Sequence, residues 1–97
     1  MISIKNFHKI KDGNKEIGYI QLVGYDVPQI EYDLDEAYWN KGIMTRELTA
    51  YLKTLNIRGV SAIIKENNHA SARVLTKCGF VELGRIRDYR TFCKYLK

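Results

Sequence analysis

The hydrophobic and polar positions change period several times along the chain, and each change marks an element. Phe7 to Ile10 reads as a short strand, and Asp12-Gly13-Asn14-Lys15 is a hairpin turn signal. Glu16 to Gly24 follows as a second strand, with Ile17, Tyr19 and Leu22 or Val23 as its apolar members. Tyr25-Asp26-Val27-Pro28 is a loop, its proline placed where it does little harm to a ladder. From Gln29 to Leu34 the residues Ile30, Tyr32 and Leu34 alternate with Gln29, Glu31 and Asp33, which predicts a strand with one apolar and one polar face. The period then lengthens. Leu48, Leu52 and Leu55 form one apolar stripe on a helix expected from Thr45 to Leu55, ended by Asn56 to Gly59. Val60 to Ile64 is an apolar run expected to be a buried strand. Glu66 to His69 is a loop that offers Asn68 as a helix N-cap. Ala70, Val74, Leu75 and Cys78 give the second helix its core face, and Gly79 stops it. Phe80 to Arg87 and Arg90 to Leu96 are two last strands, antiparallel about Asp88-Tyr89. The order is ββ-β-α-β-α-ββ, a mixed α/β domain with hairpins at both ends and two crossovers between strands expected to be parallel or nearly so.

The join between the third strand and the first helix points to chemistry. Tyr38-Trp39-Asn40-Lys41-Gly42-Ile43-Met44-Thr45 is a glycine-centred turn leading into a helix. The first backbone N–H groups of a helix have no partner within it. With the helix dipole they form an anion site, for which phosphate is the usual occupant.

Ninety-seven residues make one domain with a real but small core. No window approaches the roughly 18 apolar residues needed to span a bilayer, and Met1 to Lys5 lacks the apolar region of a signal peptide. A cytoplasmic protein is the expectation. Two cysteines, Cys78 and Cys93, make neither a disulfide framework nor a metal motif, and each reads as a small packed residue. The net charge of +5 is uneven: residues 1–57 balance to −1 and residues 58–97 to +6. A basic second half suggests an anionic partner, either a polyphosphate cofactor or nucleic acid, or else a merely solvated face.

In this order, with this turn, the chain resembles the GNAT superfamily of acyl-CoA-dependent N-acetyltransferases. It is most similar to the branch of ribosomal-protein, spermidine and antibiotic acetyltransferases. The text that carries the resemblance is Tyr32 to Thr45, then Asn68-His69-Ala70-Ser71, then Lys77-Cys78-Gly79-Phe80. It runs from about Ile17 to Tyr95. The family's phosphate turn is written Gln/Arg-x-x-Gly-x-Gly/Ala. Trp39 takes its first position, Gly42 its glycine, and Met44 replaces the final small residue. Asn40 stands where the branch usually has a second glycine.

The resemblance implies that acetyl-CoA is the cofactor. Its pyrophosphate would lie on the N–H groups of this turn, within a cofactor-binding set of Leu34, Trp39, Asn40, Lys41, Gly42, Ile43, Met44, Thr45, Asn68, Ser71, Arg73 and Lys77. Asn68 matches the asparagine beside the pantetheine arm, a role compatible with capping the second helix. Ser71 matches a serine near the thioester, where a hydroxyl could protonate the leaving thiolate. Arg73 and Lys77, four apart on the helix, would meet the ribose phosphate. Many GNAT enzymes carry an acid tyrosine seven residues after the asparagine, and here that position is Leu75. A base is also needed, because an ammonium cannot attack a thioester. Glu31 or Asp33, on the polar face of their strand, could serve, directly or through water. The acidic group Glu31, Asp33, Asp35 and Glu36 would favour a cationic acceptor. No metal is expected.

One departure bears on function. In the family a strand and two helices usually precede the first hairpin and form much of the acceptor wall, whereas this sequence starts almost at the hairpin. Three readings follow: a minimal enzyme acetylating a primary amine, a cofactor-binding relative without turnover, or a basic nucleic-acid-binding module. The last has no RNA-binding signature to support it. A first strand at the sheet edge invites pairing with a second chain, so a homodimer is expected.

Overall fold

The computed structural model describes residues 4–24 and 27–96, with side chains from Phe7 onward. Tyr25 and Asp26, half of the expected loop, lie outside the described residues. Six strands and two helices appear in the expected order: β1 (Ile4–Asp12), β2 (Lys15–Val23), β3 (Gln29–Leu34), α1 (Ile43–Lys53), β4 (Gly59–Lys65), α2 (His69–Lys77), β5 (Val81–Ile86) and β6 (Tyr89–Tyr95), with a 3₁₀ turn at Glu36–Tyr38. β1 is longer than the Phe7 to Ile10 run. Its ends carry Lys5, Lys11 and Asp12, whose polarity hides a strand that pairing with β2 makes.

The six strands form one sheet in the order β1-β2-β3-β4-β6-β5. All neighbours are antiparallel except β3 and β4, which are parallel and share one residue pair, Gln29↔Ser61. There the Ser61 N–H donates to the Pro28 carbonyl at 2.9 Å. The pair lies at the start of both strands, so the two separate toward their C-terminal ends. The second crossover also joins parallel strands, though not neighbouring ones. β4 and β5 both run antiparallel to β6 and therefore parallel to each other, but β6 lies between them.

The β2–β3 register places Gly18, Ile20 and Leu22 opposite Leu34, Tyr32 and Ile30 on one face of the sheet. That face joins the helices in a single core, in which Ile20, Leu48 and Leu75 are fully buried. Each such side chain contributes about 1.5–3 kcal/mol. Gly18 is required by close approach, because a Cβ there would overlap the Asp33 carbonyl oxygen. α1 begins two residues before the expected Thr45, because Gly42 itself is the N-cap. It stops at Lys53, with Leu55 still buried just beyond it. α2 ends at Lys77, Gly79 beyond it stands in the left-handed region (φ +91°), and the Phe80 N–H closes back on the Leu75 carbonyl at 2.9 Å. That bond uses Phe80, so β5 starts at Val81.

Candidate functional site

Where β3 and β4 part, a cleft of about 260 Å³ opens between the end of β3, the start of α1 and the first turns of α2. Ligands of open α/β sheets bind outside the carboxyl ends of strands, in a crevice of this kind.

One wall is the turn into α1. Gly42 has φ +75° and ψ 6°, the left-handed conformation that glycine adopts at little cost. Asn40, two residues earlier, is also left-handed at φ 60°. No side chain caps α1, and no acidic residue stands in its first turn. The N–H groups of Ile43, Met44 and Thr45 thus begin the helix without a carbonyl one turn back. A Cβ on Gly42 would meet nothing within 4 Å, so the space beside it is open. Trp39 fixes the turn to the strand: its indole N–H donates to the Leu34 carbonyl at 2.7 Å.

The other wall is α2. Asn68 caps it, its Oδ1 accepting from the Ser71 N–H at 3.1 Å. The two walls are tied by Arg73, whose Nη2 donates to Asn40 Oδ1 at 3.4 Å. Lys77, one turn further on, also lines the cleft. With Arg73 it supplies positive charge beside the uncapped helix start, which suits an anion.

Of the residues expected from the sequence, the structure brings together Asp33 and Leu34 from β3, Trp39, Asn40, Gly42, Ile43, Met44 and Thr45 from the turn, and Asn68, Ser71, Arg73 and Lys77 from α2. Two do not line the cleft. Lys41 is not in the lining, although its ammonium lies 5.8 Å from the ring centre of Tyr38, which is. Glu31 accepts a hydrogen bond from Gln21 Nε2 at 3.0 Å, on the sheet face opposite the core. Leu75, at the place of the family's acid tyrosine, is fully buried in the core.

Sequence reasoning missed Tyr32, Tyr38, Ala70 and Val74 in the lining. Tyr32 is the informative one. Its hydroxyl donates to the Ser71 carbonyl at 3.2 Å, and burial pushes its pKa up to about 12. The one signal available was its place on the apolar face of β3, since a tyrosine set among core residues needs a partner for its hydroxyl. Cys78 sits behind the site, within 3.5 Å of the Thr49 hydroxyl and the Thr45 carbonyl. Burial pushes its thiol pKa up, which marks a packed rather than a reactive cysteine. Among the described residues there is no group of His, Cys, Asp and Glu that could hold a metal. No helix there is long and apolar enough to cross a membrane.

A family model described as "Acetyltransferase (GNAT) domain" matches residues 3–81. The curated proteins contain no match. Among solved structures, the chain superposes on a ribosomal-protein-S5-alanine acetyltransferase from Vibrio fischeri with a TM-score of 0.74 at 24% identity, covering 88% of this chain and 57% of that one. Mycobacterium smegmatis RimJ, solved in complex with CoA-disulfide, gives 0.79 at 18% identity, covering 90% and 51%. A chimera of the Vibrio cholerae spermidine N-acetyltransferase SpeG with hSSAT gives 0.75 at 18%, covering 91% and 64%. The chain thus spans between about half and two thirds of the length of these structural relatives. By its match to the family model over most of its length, this chain belongs to the GNAT acetyltransferase domain family.

Proposed function

We propose that the chain binds acetyl-CoA in the cleft between β3 and β4 and transfers the acetyl group directly to a primary amine. The observation that carries this reading is the uncapped, left-handed start of α1 at Gly42, opening into the same cleft as Ser71 and Asp33. The N–H groups of Ile43, Met44 and Thr45 suit the pyrophosphate, and Arg73 and Lys77 suit the further phosphate of the cofactor. A cleft of about 260 Å³ is small for the whole cofactor. It fits the pantetheine arm and pyrophosphate, with the nucleoside lying across the outer surface of the helices.

In the reaction the amine nitrogen attacks the thioester carbonyl carbon, the C–S bond breaks, and the thiolate leaves. A base must first take the proton of the ammonium. Both carboxylates share the polar face of β3, and Asp33 is favoured over Glu31 because it borders the cleft nearer the end of the strand whereas Glu31 is engaged with Gln21. Ser71, or water, would return a proton to the thiolate. The acceptor is a cationic amine, in keeping with the acidic residues Asp33, Asp35 and Glu36 at the end of β3. We place the reaction in the cytoplasm, and we assign the protein a homodimer built on the edge strand β1.

Thiol release from acetyl-CoA in the presence of polyamines, aminoglycosides and peptide N-termini tests the transfer. At least one acceptor is expected to give turnover, and Asp33→Asn is expected to reduce it by about 10²-fold or more, the usual range for a general base. Glu31→Gln should change it little. Equal turnover in Asp33→Asn would remove that residue as base. The burial of Leu75 favours a second reading, cofactor binding without turnover. Acetyl-CoA binding with no acceptor acetylated would establish it.

A further inference from the structure

β3 and β4 share one residue pair and then separate, so no backbone ladder spans the cleft beyond Gln29↔Ser61. A side-chain bond spans it instead. Tyr32, in the part of β3 that has left β4, donates its hydroxyl to the Ser71 carbonyl in the first turn of α2, at 3.2 Å. The N–H of the same residue is held by Asn68 Oδ1 at 3.1 Å. Side chains therefore fix Ser71 through both of its backbone polar groups. The residue lines the cleft, and its side chain also interacts with the Tyr32 hydroxyl.

We propose that Tyr32 is a positioning residue: its hydroxyl latches the first turn of α2 to β3 across the splayed strands and so holds the Ser71 hydroxyl toward the bound thioester. The inference rests on the acetyl-CoA reading of the cleft. A tyrosine suits the task because its ring is rigid, with two side-chain torsions, and because a phenol stays a donor at any ordinary pH. The bond joins two elements whose separation sets the width of the cleft. Losing the hydroxyl leaves the ring in place but frees the helix start to shift, and small displacements of a catalytic group cost rate.

The test is a fluorescence titration on the full chain. Trp39 is the sole tryptophan of the sequence and lines the cleft, so it reports on occupancy. Wild type, Tyr32→Phe, Ser71→Ala and the double variant are titrated with acetyl-CoA and, separately, with ADP carrying a 3′-phosphate, which lacks the pantetheine arm. Tyr32→Phe keeps the buried ring, and a thermal melt confirms that it folds. Each single variant is expected to weaken acetyl-CoA about fivefold, the scale of one hydrogen bond. The double variant should bind no more weakly than Ser71→Ala alone, because the first residue acts through the second. The arm-less nucleotide should bind all four proteins alike. Acetyl-CoA affinity unchanged in Tyr32→Phe, or losses that simply add, would overturn the latch while leaving the cofactor site standing. Failure of wild type to bind either ligand would overturn the cofactor reading itself, and the latch with it.

Discussion

At Gly42 the backbone stands at φ +75°, and a Cβ there would touch nothing. Its replacement is therefore a purely conformational insult. Gly42→Ala is expected to cost about 1 kcal/mol of stability, because L residues disfavour this region. It should also weaken acetyl-CoA by tenfold or more as the turn relaxes and the N–H groups of Ile43 to Thr45 lose their aim. A chemical melt and a ligand titration on one variant check both. Tyr32 makes a prediction in pH. Its folded-state pKa, about 12, lies above the ordinary value of 10.0, so the folded protein holds the phenolic proton more tightly than the unfolded chain. That contribution is full below pH 10 and is lost as pH rises to 12, amounting to about 2–3 kcal/mol. Urea unfolding of wild type against Tyr32→Phe across that window should show the steeper alkaline decline in wild type, and parallel curves would contradict it. Gly42 and Asn68 were legible in the sequence because their roles are local: one needs a sign of φ, the other an N–H three residues on. Tyr32 and Glu31 were not, because their partners lie 39 and 10 residues away. Alternation along a strand names a face but not what stands opposite it.

Among the elements, α2 depends most visibly on a single residue. Its N-cap bond runs from the Ser71 N–H to Asn68, and no acidic residue in the first turn compensates the dipole. Asn68→Ala is expected to lower stability by about 1 kcal/mol, whereas Asn68→Asp or Asn68→Ser, both good caps, should retain most of it. Thermal melts of the three variants decide this, and equal loss in all three would mean that the side chain serves something other than the cap. The elements themselves were readable from periodicity, since each has an apolar face of the right spacing. Their order in the sheet was readable only in part. The last hairpin was evident, but which of its strands docks on β4 is a tertiary choice. β6 docks because Phe92 carries the core face, 1% exposed, while Val81, Leu83 and Ile86 of β5 are each more than 60% exposed. An edge strand with three apolar residues reads, from sequence alone, like an interior one. The early start of α1 has a similar cause, since the left-handed Gly42 turns the chain into the helix at once.

For the whole molecule, two consequences follow from the charge distribution and the strand order. Arg73 and Lys77 line the cleft within the basic second half of the chain, so acetyl-CoA affinity should fall as salt rises. It should fall less steeply in Arg73→Ala or Lys77→Ala, because exposed charges are screened. Titrations at 0.05 and 0.5 M salt check this. Among the described residues β1 stands at one edge of the sheet, and an edge strand can pair with another chain. Light scattering is expected to return twice the mass of the 11.3 kDa chain, and a monomeric mass would contradict the proposed dimer. The claim on which the rest depends is that the cleft takes acetyl-CoA. It is tested most directly by the melting temperature of the wild-type chain with acetyl-CoA raised to about 1 mM. Ligand at about 100 times its dissociation constant adds about 2.7 kcal/mol, and a domain of this size gains about 4–8 °C per kcal/mol. The account predicts a saturable rise of roughly 10 °C or more, reproduced by coenzyme A. A melting temperature unmoved at millimolar ligand would contradict it.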